Sequence, residues 1–220
     1  SLRKELTMPS VLGTNVLAEV AGAITDFFEK LAGSDGTSWL AEFKKFLRKE
    51  SCWAKPTWTE KDGVIYFSVT SDGTTGLQWI SRLEKKGFRL SKWAKDVLNS
   101  PDFKPTSGVT YKCVVLKGEF FSDEDRTTEK IRAEADRRRL IKPNAEVACL
   151  IRENFSDEEI EAMGFWWIVV MHKPINDSDG DPRLLGALRH GVGRWLFAFF
   201  VAPSFRWLRE YGFVFLASQA

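Results

Sequence analysis

The sequence has few of the residues that usually build catalytic or metal sites. Its 220 residues include two histidines and three cysteines, and no Cys-x-x-Cys pair is present. A zinc site needs more ligands at closer spacing. A nucleophilic pair of Cys149 with His172 has no supporting local pattern, since any cysteine and histidine can be paired on paper. The sequence therefore predicts a protein that is not an enzyme and has no cofactor.

The cysteines and the hydrophobic runs also limit the cellular context. Cys52, Cys113 and Cys149 are odd in number and widely spaced, so we expect reduced and mostly buried thiols rather than a disulfide framework. No secretory signal is visible, and no apolar run is long enough to span a bilayer; Phe165 to Met171, for example, has only the length of a strand. We therefore expect no membrane span. These features favour the cytoplasm, although the sequence does not specify the location.

Charge of one sign is not in excess either. The chain has 32 basic and 30 acidic side chains, so no global field attracts nucleic acid or an anionic surface. Two local basic stretches exist, Lys44 to Lys49 and Arg137 to Arg139. Solvated helix faces explain both, and the second lies at a helix C-terminus, where the dipole favours cations. We expect no nucleic-acid partner, and a nucleic-acid-associated role for these stretches remains a third hypothesis.

Two loop motifs suggest ligand binding only weakly. Ser71-Asp-Gly-Thr-Thr-Gly lacks the Gly-Lys-Ser/Thr of a phosphate-binding loop, so a helix cap at Thr74 or Thr75 is the simpler interpretation. Asp177, Asp179 and Asp181 alternate along a loop, as ligands of Ca²⁺ can, but the EF-hand pattern fails and a turn after a strand explains them. The main alternative function uses this loop, in a calcium-dependent carbohydrate-binding protein or a metal-dependent enzyme.

Hydrophobic periodicity predicts helices and strands in succession. Two amphipathic helices separated by a Gly-rich turn precede residue 50, and they predict a helical N-terminal extension over 1–50. Further elements follow in one domain over 51–220, which we predict to be α+β. They are strands at 64–70, 108–121, 165–171 and 212–217, helices at 75–86, 91–98 and 123–140, a short apolar element at 145–152, and a capping box at Ser156 whose turn ends at Gly164.

The most unusual stretch is the aromatic run from Trp195 to Phe215. Nine of its residues are aromatic, on both sides of Pro203, and a buried helix or strand would place such rings on one face only. Some rings must therefore be exposed, and a contiguous exposed aromatic patch is typical of a binding surface. We predict a fixed frame that carries displayed side chains. The predicted core rings are Trp166, Trp167, Trp195, Trp207, Phe213 and Phe215, and we expect Arg194 and Arg206 to stack on Trp195 and Trp207.

The C-terminal third resembles the variable region of target proteins of diversity-generating retroelements. The segments that resemble it are Phe165-Trp-Trp-Ile-Val-Val-Met-His, Asp177-Ser-Asp-Gly, Gly193-Arg-Trp-Leu, Arg206-Trp and Gly212-Phe-Val-Phe-Leu-Ala-Ser-Gln. Similar proteins occur in uncultivated small-genome bacteria and archaea, and a weaker resemblance extends back to about Trp39. The resemblance implies a C-type-lectin-like domain whose variable region, about 186–211, binds an unknown protein ligand.

The same resemblance indicates which positions are diversified. Similar proteins often read Trp-Leu-Asn-Ala-Tyr-Tyr where this chain has Trp195-Leu-Phe-Ala-Phe-Phe, and adenine-directed mutagenesis converts Asn or Tyr codons in this way. The chain departs from the family by being unusually apolar here, whereas binding loops usually favour Tyr, Ser and Asn. The implied ligand-binding positions are Leu188, His190, Val192, Phe197, Phe199, Phe200, Val201, Ala202, Ser204, Phe205, Leu208 and Tyr211.

Overall fold

The chain divides into two compact units, Ser1–Pro56 and Thr57–Ala220. The computed structural model describes residues 14–48, 57–190 and 193–218. The predicted boundary between residues 50 and 51 lies outside these residues, as do Lys49 and Cys52.

The first unit is a helical hairpin. Helix α1 covers Thr14–Ala32 and α2 covers Gly36–Leu47, on either side of the predicted Gly-rich turn. The rings of Phe27 and Phe43 join the two helices, with centroids 4.6 Å apart. Phe28 and Phe46 remain largely exposed. The hairpin therefore has an apolar surface of its own that it does not bury internally.

The second unit is α+β and is built on one mixed sheet, which confirms the predicted fold class. The sheet has nine strands in the order β1-β2-β4-β9-β5-β7-β8-β3, with β6 paired to β7. Its strands are β1 Trp58–Lys61, β2 Val64–Asp72, β3 Arg89–Leu90, β4 Ser107–Lys117, β5 Trp167–Val170, β6 Ile175–Asn176, β7 Pro182–His190, β8 Gly193–Phe200 and β9 Tyr211–Leu216. Its helices are α3 Gly76–Lys85, α4 Lys92–Asn99, α5 Thr128–Arg137, α6 Val147–Asn154 and α7 Asp157–Ala162, with a 3-10 turn at Gly118–Phe120.

Short polar residues start the helices where the sequence predicts them. Thr75 and Ser156 each form a capping box, in which the N-cap hydroxyl accepts the N3 amide and the N3 side chain accepts the N-cap amide. Ser91 caps α4 by accepting the amide of Ala94 at 3.1 Å. The Ser71–Gly76 stretch is thus occupied by helix capping rather than open to a phosphate.

The sheet separates two hydrophobic cores. Helices α3, α4 and α6 cover one face, where Trp79, Leu83, Ile151 and Phe165 are buried. On the other face α5 and the 201–210 segment cover a smaller core that includes Phe213. Strand β9 lies between β4, to which it is antiparallel, and β5, to which it is parallel. The C-terminal segment therefore returns to the centre of the sheet.

The hairpin of β7 and β8 is the main departure from the prediction. The sequence pattern predicts no strand between residues 171 and 212, where consecutive aromatics lie on both sides of Pro203. Instead β7 and β8 pair antiparallel along their length, from Arg183 opposite Phe200 to His190 opposite Gly193. Pro182 is tolerated because it is the first residue of its strand. Much of the predicted variable region is thus regular strand.

Candidate ligand-binding surface

The segment that joins β8 to β9, residues 201–210, is tied to the start of α5 by its main chain. We call it the anchored loop. The carbonyl of Pro203 accepts the amide of Glu129 at 2.9 Å, and the carbonyl of Phe205 accepts the amide of Thr128 at 3.1 Å. The amide of Trp207 donates to the carbonyl of Arg126 at 2.9 Å. Carbonyls of the loop thus satisfy amides at the helix start that have no partner inside the helix.

Two residues fix how closely the anchored loop approaches the domain. The indole of Trp207 is buried and donates to the hydroxyl of Thr128 at 3.0 Å. Gly118 faces the end of the loop, and a Cβ at this position would lie 2.7 Å from the carbonyl oxygen of Arg209 and 2.8 Å from that of Leu208. The loop can follow this path only because residue 118 has no side chain.

A group of contacting rings lies where the anchored loop meets the sheet. We call it the ring cluster, and it comprises Trp167, Phe197, Phe199, Phe205, Trp207 and Tyr211. Trp167 stacks on Tyr211 with centroids 5.5 Å apart and contacts Phe199 at 4.6 Å. Phe205 meets Trp207 edge-on at 4.7 Å. Phe199 and Trp207 are buried beneath the others, which are half-buried. The cluster is thus a supported aromatic surface with one side open to solvent.

Strand register extends this surface across the sheet. Trp167 lies opposite Tyr211 on one side and Leu188 on the other, and Leu188 lies opposite Trp195. Since directly opposed residues share a face, these side chains form one row. Arg89 continues the row, with its guanidinium 5.6 Å from the centroid of Trp195. Phe197 lies beside this row, two residues along β8 from Trp195, and its ring centroid is 5.5 Å from that of Trp167.

The implied ligand-binding positions differ in exposure, and three of them are not displayed as expected. Phe199 shares its sheet face with Phe197, but Trp167 and Trp207 pack against it, so it is only 7% exposed; Leu188 and Val201 are also buried. Ser204 and Leu208 are exposed, Leu208 by 59%. His190 lies at the end of β7, and Val192 is outside the described residues. The remaining positions, from half-buried to exposed, are Phe197, Phe200, Ala202, Phe205 and Tyr211.

Several expectations about the frame are wrong. Trp166 is 57% exposed rather than in the core, because it precedes β5 and points away from its neighbour Trp167. Trp195 is half-buried and belongs to neither core. Among the described residues, neither Arg194 on Trp195 nor Arg206 on Trp207 forms the predicted stack. Arg194 instead lies over Phe88, 4.4 Å from the ring centroid. Trp207, Phe213 and Phe215 are buried as predicted.

The aspartate loop does not converge on a cation. One carboxylate oxygen of Asp177 accepts the amides of Asp179 and Asp181, at 2.9 and 3.0 Å, and the other accepts Nε of Arg183 at 2.6 Å. Arg183 is itself stacked over Trp93 at 4.7 Å. In the described ranges no group of three or more acidic, histidine or cysteine side chains is placed to hold a metal ion. The loop is a turn closed by a buried ion pair.

The other candidate groups have structural partners. His172 is buried rather than on the surface, with Nδ1 bonded to the carbonyl of Lys173 at 2.6 Å and Nε2 accepting the amide of Leu185 at 2.9 Å. Both ring nitrogens are therefore engaged by the main chain. Cys149 and Cys113 are free, buried thiols, and burial raises the pKa of both.

The basic stretch that includes Arg137 has nearby acidic partners. Arg137 and Arg138 both pair with Glu134, at 2.7 and 2.6 Å. Within the residues that the structure describes, no helix has the length and apolar character needed to cross a membrane.

Comparisons with protein-family models, with curated proteins and with solved structures found no match to this chain. The functional interpretation therefore rests on the geometry of the surface and on the resemblance of the C-terminal sequence.

Proposed function

We propose that this chain is a non-enzymatic binding protein that recognises a protein ligand through the ring cluster and the anchored loop. We further propose that it is a variable protein of a diversity-generating retroelement and that its second unit is of the C-type-lectin type. The diversified positions are then those of the C-terminal segment, about 186–211.

The observation that carries the proposal is the convergence of the implied variable positions. Phe197 comes from β8, Phe205 from the anchored loop and Tyr211 from β9, yet register and ring contacts bring them to one surface around Trp167. Positions spread over two strands and a loop would not share a face without this register.

The second support is that main-chain hydrogen bonds fix the backbone of the proposed ligand-binding positions. The anchored loop is held by hydrogen bonds between its backbone and that of residues 126–129, and β8 is held by pairing with β7. None of these bonds depends on the side chain at Ala202, Ser204, Phe205 or Leu208. Side chains at such positions can change while the backbone keeps its path, which is what a diversified surface requires.

The chemistry of the surface favours a protein ligand. Half-buried rings on a rigid support lose little side-chain entropy on binding, and aromatic anchors contribute strongly at the centres of interfaces. The C-type-lectin assignment is supported by the α+β architecture and by the position of β9 between β4 and β5. In that arrangement the variable segment starts in β7 and leads into β9, so both of its ends are held in the same sheet.

A pair of matched libraries tests this proposal. One library randomises Phe197, Phe205, Leu208 and Tyr211, and the other randomises buried residues of the same region, Trp207, Phe213 and Phe215. Cell-surface display with protease challenge measures the fraction of folded members. The display library should retain mostly folded members, whereas the buried library should lose most of them because core truncations cost about 2–5 kcal/mol each.

Selection of the folded display library against immobilised proteins then tests binding. The proposal predicts enrichment of clones that differ at the randomised positions and bind different targets. Equal loss of fold in the two libraries would contradict the idea of a tolerant surface. Failure to enrich any binder from a well-folded library would contradict its use in recognition.

A further inference from the structure

A groove distinct from the ring cluster lies between α5 and the start of the anchored loop. Its volume of 660 Å³ is within the range of small-molecule sites, roughly 300–1,000 Å³. One wall is apolar and contains three prolines, which restrict its movement. This wall comprises Pro174, Pro182, Val201, Ala202 and Pro203, and the α5 side presents Thr128, Glu129, Arg132, Ala133 and Asp136, with Lys142 nearby.

Arg132 is the distinctive residue of the groove. Its guanidinium makes one hydrogen bond in the described part of the chain, from a terminal nitrogen to the carbonyl of His172 at 3.1 Å. Its Nε is buried without a partner, and burial lowers the pKa of the guanidinium. A partly buried guanidinium that has Asp136 nearby but forms no ion pair with it in the described residues is costly, and an anionic acceptor in contact with it would offset that cost.

The guanidinium is also held in a defined position. His172, which accepts its hydrogen bond, follows β5, and both nitrogens of the His172 ring are bonded to the main chain. The main chain of Thr128 and Glu129, which line the groove, is fixed by hydrogen bonds to the anchored loop. The groove is therefore preorganised rather than dependent on a flexible surface arginine.

The other charges of the groove define the kind of anion. Lys142 supplies a second cation, whereas Glu129 and Asp136 place two carboxylates on the exposed side of α5. Exposed carboxylates repel a multiply charged anion such as phosphate more than a single carboxylate. The apolar wall matches an aliphatic or aromatic body. Together these features select a monocarboxylate on a compact apolar body.

We infer that this groove is a second binding site, for a small apolar carboxylate that pairs with Arg132 and packs against Ala202 and the proline wall. This site goes beyond the proposed function, because its ligand is a small molecule and it uses no residue of the ring cluster, although it shares Val201, Ala202 and Pro203 with the anchored loop. Ala202 keeps the groove open, since its half-buried methyl group lies on the wall and a larger side chain there would occupy the volume.

The test uses three probes, 3-phenylpropionate, its uncharged amide and inorganic phosphate, with the complete chain. Binding is measured by calorimetry and by the NMR signal of the Arg132 Nε–H group. We expect the carboxylate to bind at least tenfold more tightly than either the amide or phosphate and to shift the Arg132 signal. Equal binding of carboxylate and amide, or of carboxylate and phosphate, would overturn the inference.

Variants then locate the site. Arg132→Met and Ala202→Phe should each weaken 3-phenylpropionate binding at least tenfold, the first by removing the charge and the second by filling the groove. Arg137→Met, on the same helix but exposed, should leave binding unchanged. Thermal melting checks each fold, and Ala202→Phe decides the outcome if Arg132→Met is unstable. Unchanged binding in a folded Ala202→Phe protein would refute the site.

Discussion

Acid destabilisation centred on His172 follows directly from its surroundings. The ring is buried, and burial lowers its pKa from 6.5 to about 4. Its Nε2 accepts the amide of Leu185, which only the neutral ring can do, and Arg132 nearby further disfavours a positive charge. Protonation would place an additional charge in the core and remove an acceptor from β7.

The sign and size of the effect come from proton linkage. Because the folded pKa is depressed, the unfolded chain binds more protons between pH 6.5 and 4, so stability falls as the pH falls through this window. The contribution is fully present above pH 6.5. A shift from 6.5 to about 4 corresponds to about 3 kcal/mol, of which about 2 kcal/mol is lost between pH 7 and 4.5.

Urea unfolding at pH 7, 6, 5 and 4.5 measures this loss. The carboxyls of Asp72 and Glu134 have pKa values lowered to about 2 by neighbouring hydroxyl and guanidinium groups, so their stabilisation is lost mainly below this range. His172→Gln keeps an acceptor for Leu185 and should flatten the pH dependence. His190→Gln separates the contribution of the second histidine. A wild-type free energy of unfolding that stays constant from pH 7 to 4.5 would refute the reasoning.

Three further predictions concern the frame. Trp207→Ala should lower the free energy of unfolding by about 3–5 kcal/mol, whereas the neighbouring Leu208→Ala should change it by less than about 0.5 kcal/mol, as urea unfolding would measure. Gly118→Ala should lower the melting temperature, because its Cβ would press on carbonyl oxygens of the anchored loop; an unchanged value would contradict the required close approach. Calcium at millimolar concentration should not raise the melting temperature, since Asp177 is occupied by Arg183. Asp177→Asn should destabilise the fold, because Arg183 would lose its buried charged partner and keep only the longer contact with the exposed carboxylate of Asp181, at 3.3 Å.

Local signals in the sequence were sufficient for much of the fold. Alternation along Val64–Asp72 and caps at Thr75, Ser91 and Ser156 depend on residues within a few positions of one another, so the pattern predicts them. The α+β class follows from the succession of such elements.

The candidate surface was less predictable because its features are non-local. Gly191 and Gly193 lie where β7 passes into β8, but the consecutive aromatics that follow conceal the alternation of β8, so the glycines alone do not predict a hairpin. Phe199 is buried by two rings from other segments: Trp167 belongs to β5, and Trp207 belongs to the anchored loop. Arg132 gave no signal in the sequence. Its surroundings are the carbonyl of His172 and groove walls from four further segments of the chain, none of which is adjacent to it in sequence.

The central claim is that this surface is diversified for binding, and the DNA flanking the coding sequence tests it most directly. The account predicts a near-copy of the segment that encodes about 186–211, beside a reverse-transcriptase gene, with differences almost only at adenines of the copy. The mismatched codons should include those of Phe197, Phe205, Leu208 and Tyr211 and spare that of Trp207. A locus with no such copy and no reverse transcriptase would contradict the claim.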